Sequence, residues 1–308
     1  MEFCTVCKSE NIKWISTINQ RDYWSCSVCE AKFLDSKYYI KSKEEKKHYL
    51  KHNNSIDDDQ YINFLSKLIN PLKKIISFDD IGLDFGCGYA PALAKILRDN
   101  GYKIEIYDPF FFPNQSIFNR KFNFITCSEV VEHFFKPYEE FNKINNLLCK
   151  NGVLAIMTSI LTEDICFENW YYRRDPTHVV FYKKKTFEIL AYQRNWKLTF
   201  PEKNIIFINK KLNMENILIV SQLVIAFSIL IVWVVRYENI VGALKISLST
   251  ILVLGIWYNE LLFFSSLIMA FLMICAQYFH FKFKNPIHKF IPSFLLLLVS
   301  LFIATASY

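Results

Sequence analysis

The chain has 308 residues, with 36 Lys and Arg against 29 Asp and Glu, a formal charge of +7, and nine cysteines. That length admits about two domains. The modest charge excess speaks against a nucleic-acid footprint, and an odd cysteine count behind a polar opening at Met1 to Lys8 speaks against a secreted, disulfide-framed fold. Charge is also unevenly placed. From Met214 onward only Glu215, Glu238, Glu260, Arg236, Lys245, Lys282, Lys284 and Lys289 carry it, and a short lysine cluster, Lys203 to Lys211, precedes that stretch.

Residues 1–36 are framed by Cys4-x2-Cys7 and Cys26-x2-Cys29. Two such pairs on a hairpin supply the four soft ligands that tetrahedral zinc prefers. Ile12 to Ile18 and Tyr23 to Ser25 are predicted to pair across Asn19 to Asp22. A zinc ribbon is expected, its ion structural, because four thiolates leave no open position for catalysis. Cys87, Cys127, Cys149, Cys166 and Cys275 read as small apolar residues. Residues 37–80 form a helical lead-in. There Tyr61, Phe64, Leu65, Leu68, Ile69 and Leu72 recur at helical spacing, and Lys43 to Lys47 reads as a solvated face.

From residue 81 to 212 strand and helix alternate. Ile81 to Phe85, Lys103 to Tyr107, Phe122 to Cys127 and Val153 to Thr158 read as strands; Pro91 to Asn100 and Tyr138 to Leu148 read as helices. Trp196 to Phe200 and Ile205 to Ile208 read as a closing pair. The pattern predicts an α/β fold, a doubly wound, mostly parallel sheet. Asp84-Phe-Gly-Cys-Gly88 lies between the first strand and its helix, where Gly86 and Gly88 permit a sharp turn and a close ligand. Asp108, 24 residues beyond Asp84, ends the next strand, a place that suits the hydroxyls of a ribose. No phosphate-binding lysine accompanies the turn. An acidic, glycine-lined site suits a cationic sulfonium nucleoside better than a polyphosphate.

These residues resemble motif I of class I S-adenosylmethionine-dependent methyltransferases. The match extends through Tyr107 to Phe111, Phe122 to Phe134 and Tyr172 to Tyr182. With the ribbon and Tyr49 to Ser55, residues 1–208 are similar to a bacterial group of zinc-ribbon methyltransferases. The resemblance implies a seven-stranded sheet, S-adenosylmethionine as donor, and cofactor contacts at Asp84, Gly86, Gly88 and Asp108; Glu129, in the acid and histidine cluster, reads as a further cofactor contact. The stretch from Asp108 to Phe122 is too short for the usual third strand and its helix.

Glu129, Glu132 and His133 follow a strand, and on a helix the three would share a face. His178 sits in the polar loop Arg173 to Thr177. Two functional readings stand open. His133 or His178 removes a proton from an acceptor hydroxyl, with Glu132 in the catalytic set. Alternatively Glu129, Glu132, His133 and His178 hold Mg or Mn, a pattern that resembles small-RNA terminal 2′-O-methyltransferases. Glu132 and His133 as plain packing residues are a third. Asp175 reads as an orienting partner of His178, and Arg173 and Arg174 read equally as surface charges.

Residues 213–308 contain four apolar runs, about 217–235, 240–258, 261–279 and 290–308. A bilayer core needs about 20 such residues per helix, so an α-helical transmembrane bundle is expected. Lys203, Lys210 and Lys211 then place the catalytic part in the cytoplasm of a multi-pass membrane protein. The expected partners are a lipid bilayer and a hydrophobic or lipid-linked acceptor, such as a quinone or lipid-linked glycan, methylated on oxygen. An RNA 2′-O-methyltransferase and a non-catalytic cofactor-binding scaffold are the alternatives.

Overall fold

The computed structural model describes residues 2–51, 58–210, 259–282, 284 and 286–307. The end of the Tyr49 to Ser55 motif and the predicted spans 217–235 and 240–258 lie outside the described residues. The chain divides into two compact units, Met1–Leu212 and Asn213–Tyr308.

In the first unit, strands β1 (Ile12–Ile18) and β2 (Arg21–Cys26) form an antiparallel hairpin. Asn19 and Gln20 make its two-residue turn, both with positive φ (51° and 64°), as the twist of a tight hairpin demands. Strand β3 (Lys32–Leu34) pairs with β2. The lead-in supplies helices α1 (Ser42–Tyr49) and α2 (Asp59–Lys73), the latter capped by Asp58, whose carboxylate accepts from the Gln60 and Tyr61 amides. Next come β4 (Ile81–Phe85), α3 (Ala92–Asp99), β5 (Lys103–Tyr107), β6 (Phe122–Ser128), α4 (Pro137–Leu147) and β7 (Leu148–Met157). The unit closes with β8 (Val180–Phe181), α5 (Lys184–Gln193), β9 (Trp196–Glu202) and β10 (Ile205–Lys210).

The main sheet has the order β5-β4-β6-β7-β10-β9. Its first four strands are parallel, and β10 runs antiparallel between β7 and β9. Alternation along the strands feeds two cores. Val153, Ala155 and Met157 of β7 join Leu65, Leu68, Leu72, Leu93 and Leu97 on one face. Leu154 and Ile156 join Phe141, Ile144, Phe187 and Leu190 on the other. The expected seven-stranded sheet is therefore corrected to six. Where a further strand and helix would be inserted, the chain has only residues 109–121, and these form a bridge from Asp108 to Phe112 and one 3-10 turn, Gln115–Asn119.

The ribbon does not stand apart. Its sheet has the order β1-β2-β3-β8, so a strand from far along the chain completes it. Cys4, Val6, Phe33 and Leu34 share one apolar core with Leu83, Ile125 and Tyr182.

In the second unit, helices Asn259–Lys282 and Phe290–Ser307 pack together. The Gln277 amide donates to the Phe290 carbonyl at 3.1 Å and to Ser293 Oγ at 2.8 Å. These helices coincide with the predicted spans 261–279 and 290–308. However, no helix among the described residues is long and apolar enough to cross a membrane. In Asn259–Lys282, polar Gln277 and His280 interrupt the apolar run before Lys282. Among the described residues the expected transmembrane bundle is therefore corrected, and the multi-pass membrane location that followed from it is not supported.

Candidate functional site

A cavity of about 680 Å³ opens at the carboxyl ends of β4, β5 and β6, roofed by α1 and α2. One side is made by the glycine turn. Gly86 has φ +81°, and a Cβ there would lie 2.7 Å from the Val130 methyls. Gly88 has φ +67° and open space where its Cβ would be. The Gly86 amide donates to the Tyr107 carbonyl at 2.7 Å, pinning the turn to the next strand.

Asp84 is buried at the end of β4 and accepts from Thr126 Oγ1 at 2.7 Å. Burial is the main cause of its raised pKa, pushed up to about 6, against which the Thr126 bond works. Asp108 accepts from the Gly88 amide at 3.1 Å and from the Phe110 and Phe111 amides at 2.8 and 3.0 Å. A carboxylate has about four acceptor positions, so this one both shapes the loop and keeps capacity for a ligand hydroxyl.

The opposite side holds the acids and histidines. Glu129 has φ +52°, a costly conformation for a residue with a side chain. That residue ends the strand, and Val131–His133 makes only a 3-10 turn. The predicted shared helical face is corrected accordingly, because a left-handed residue breaks the helix before it starts. Glu129 faces the cavity; Glu132 is fully buried behind it. Tyr172 joins them, its hydroxyl within reach of Glu129 Oε2 at 3.1 Å and of Glu132 Oε1. Thr158 Oγ1 donates to Glu132 Oε2 at 3.0 Å. Burial first, then the Glu132 charge, lifts the Glu129 carboxyl well above the usual carboxylate range.

His133 and His178 both line the cavity, with ring centroids 4.7 Å apart. His133 Nδ1 lies 3.2 Å from the Thr177 carbonyl, and His178 Nδ1 lies 2.7 Å from the Tyr172 carbonyl. A carbonyl only accepts, so each Nδ1 carries a proton, and in the neutral ring Nε2 is the atom that keeps a lone pair. Burial depresses the His133 pKa to about 4, outweighing the Glu132 charge, so the ring is neutral near pH 7. Asp175 accepts from the Thr177 amide at 2.8 Å and from its hydroxyl, and pairs with His48 of α1 at 3.2 Å. Burial would raise that carboxyl, but the Thr177 bonds and the nearby His178 hold it below its ordinary range. Arg173, read as a surface charge or a contact, is buried.

The sequence did not single out Tyr172 as a site residue, nor Tyr49 and Glu45 of α1. Tyr49 stands edge-on to His133 at 5.3 Å and donates to Glu45 Oε1 at 2.8 Å. No spacing rule points from these positions to the cavity. Only the packing of α1 over the strand ends does.

The four ribbon thiols converge. Cys4 and Cys29 Sγ lie 3.6 Å apart, as do Cys7 and Cys26 Sγ, and all four are mutually within 4.8 Å. Zn–S bonds of about 2.3 Å give a tetrahedral edge of about 3.8 Å, so the donor set fits zinc. Both knuckles share one geometry. Lys8 and Glu30, each directly after a pair, have φ of 65° and 59°, and their amides donate to the Cys4 and Cys26 carbonyls at 3.0 Å. Of the other five cysteines, Cys127 is buried and Cys166 is exposed.

Residues 57–199 match the family model of a methyltransferase domain. An O-methyltransferase family protein from Burkholderia thailandensis is 11% identical, with 49% of this chain covering 57% of that one at a TM-score of 0.36. A putative methyltransferase from Bacillus halodurans C-125 is 19% identical, with 44% of this chain, 70% of that one and a TM-score of 0.34. A possible histamine N-methyltransferase from Thermotoga maritima is 13% identical, with 55%, 96% and 0.33. The chain thus spans 57% of the first structure's length. No curated protein matches it. The strand-end glycine turn and the two strand-end acids, Asp84 and Asp108, all lie within the residues that this methyltransferase-domain model matches.

Proposed function

We propose that the protein methylates a hydroxyl oxygen of an apolar, ring-bearing small molecule, with His133 or His178 as the general base. The observation that carries this reading is the pair of cavity-lining imidazoles, each with Nδ1–H committed to a carbonyl and Nε2 left basic. The class of acceptor follows from the walls. Tyr49, Tyr61, Phe64, Phe110, Phe111 and Phe135 surround the cavity, and aromatic walls bind flat apolar rings while a few polar groups fix orientation.

Asp84, Gly86, Gly88 and Asp108 would hold S-adenosylmethionine, which when bound supplies an electrophilic methyl group on a sulfonium. Glu129 lies between that region and the histidines. Its carboxyl, protonated in the free protein, becomes the carboxylate when a cation arrives beside it. Tyr172 and Thr158 keep Glu132 hydrogen-bonded, and its charge steadies a protonated His133 after the base has taken the acceptor proton. Proton removal of this kind contributes about 10²–10⁴-fold. Zinc at Cys4, Cys7, Cys26 and Cys29 is structural in this reading.

A second reading puts a divalent metal at Glu132, His133 and His178, favoured by the mutual approach of their ligand atoms within 4.8 Å. It fits less well, because both Glu132 oxygens already accept hydroxyl donors and Glu132 does not line the cavity.

Tritiated methyl transfer from S-adenosylmethionine into fractionated cell extract tests the proposal. Label is expected in solvent-extractable small molecules. Label in RNA alone would sink the acceptor class.

A further inference from the structure

The loop from Glu168 to Val179 carries Tyr172, Asp175 and His178. The Tyr172 hydroxyl meets Glu129, Glu132 and Thr158 at the ends of the main sheet's strands, and Asp175 meets His48, but the ribbon holds the loop as well. The Leu34 amide of β3 donates to the Val179 carbonyl at 2.9 Å, and the Val179 amide donates to the Glu132 carbonyl at 2.9 Å. One backbone ladder therefore runs from the ribbon, past the residue after His178, to the residue before His133. Strand β8 continues it, with Lys32 opposite Phe181 and Phe33 opposite Val180.

A side-chain clamp parallels the ladder. Arg173 is only 4% exposed. Its guanidinium donates to the Phe167 carbonyl at 3.3 Å, the Glu168 carbonyl at 2.8 Å and the Tyr23 hydroxyl at 3.3 Å. It also stands over the Tyr23 ring at 5.5 Å. These three acceptors are neutral. A buried cation held this way costs desolvation that no carboxylate among them repays, so it contributes geometry more than stability. Tyr23 lies on β2, the strand that ends in Cys26. Thr186 Oγ1 donates to the Cys29 carbonyl at 2.9 Å, and Gln193 Nε2 donates to the Cys7 carbonyl at 2.9 Å, so both knuckles are seated on α5 as well.

We propose that the ribbon is the positioning frame for the acceptor side of the cavity, with Arg173 and Tyr23 as its clamp on the Tyr172–His178 loop. The ribbon's task is then internal: it sets where two imidazole rings stand. Arg173 and Tyr23 are positioning residues that act through His178 and Tyr172. The proposal rests on the reading of the histidines as bases.

The test compares Arg173→Lys and Tyr23→Phe with Lys13→Ala, a change at a solvated ribbon position, all in the full chain. Three quantities are read: the rate of tritiated methyl transfer into the solvent-extractable fraction, the calorimetric dissociation constant for S-adenosylmethionine, and the imidazole Nδ1–H signals of His133 and His178. Displacing a reacting group by about 1 Å costs on the order of 10²-fold. Arg173→Lys is therefore expected to slow transfer by about that factor, to shift or broaden both ring signals, and to leave the dissociation constant within about twofold. Tyr23→Phe moves the same signals less, and Lys13→Ala moves none. Unaltered ring signals and rate in both clamp variants overturn the proposal. So does loss of S-adenosylmethionine binding in parallel with rate, which would make the clamp a general stability element. If the unaltered chain itself binds no S-adenosylmethionine, the methyltransferase reading fails instead, and the ring signals still judge the frame.

Discussion

In the proposed reading, the side of the cavity that would hold the cofactor is built largely from backbone, and the side that would face the acceptor is built from side chains. Gly86 and Gly88 shape one through positive φ and amide donors, within a single strand-turn-helix. The other draws Tyr49 and Glu45 from α1, Glu129 and His133 from the end of β6, Tyr172 and His178 from a loop, and its support from the ribbon. A ligand common to a whole enzyme class can be met by a short local device. An acceptor particular to one enzyme is met by residues that converge only on folding.

If that contrast holds, damage on the two sides separates into different kinetic quantities. The largest effect is expected from His133→Ala combined with His178→Ala: methyl transfer falls by about 10²–10⁴-fold, while S-adenosylmethionine binds as before by calorimetry. Unchanged turnover would end the general-base reading. Next is Gly86→Ala. The new Cβ meets Val130 at 2.7 Å, at φ +81°, and strain of about 1–3 kcal/mol weakens S-adenosylmethionine binding by roughly 5- to 150-fold. Tight binding by that variant would mean the turn is not the cradle.

A smaller effect concerns pH. Free Asp84 titrates near 6 because it is buried, and Glu129 is raised as well. A cationic ligand favours both carboxylates. Its affinity should therefore rise with pH through about 6 and continue to rise above, with proton release on binding. Calorimetry in two buffers of different ionisation enthalpy reads this directly, and proton uptake would contradict it. Glu129→Gln should remove the upper part of the rise. The smallest expected change is Tyr172→Phe, which deletes one donor to Glu129 and Glu132 and should slow transfer by about tenfold, in line with a hydrogen bond of about 1.5 kcal/mol, with S-adenosylmethionine affinity nearly unchanged. An equal loss in affinity would place Tyr172 on the cofactor side.

Much of the frame was written in local pattern. The strands Ile81 to Phe85, Lys103 to Tyr107 and Phe122 to Cys127 were legible because each is a short apolar run between turn signals, and the first ends in a glycine turn that few residue types can make. The Cys4, Cys7, Cys26 and Cys29 spacing was equally legible, since metal knuckles repeat a fixed local geometry. The apolar tail shows the limit of composition. Runs near 261–279 and 290–308 did mark helices, but run length did not establish a membrane span: no helix among the described residues is long and apolar enough to cross one.

What the sequence by itself determined, then, is whatever depends on neighbours within about one strand-turn-helix: the glycine turn, the paired-cysteine knuckles, the order of the elements and the presence of two histidines near acids. Only the tertiary structure decided that Glu129 turns toward the cavity while Glu132 is buried behind it, that Tyr172 joins the two, and that β8 binds the His178 loop to the ribbon. Those outcomes depend on contacts between residues 150 positions apart, as for Arg173 and Tyr23, or 186, as for Gln193 and Cys7. Such contacts arise when packing and backbone hydrogen bonds are satisfied together, and periodicity along the chain carries no record of them.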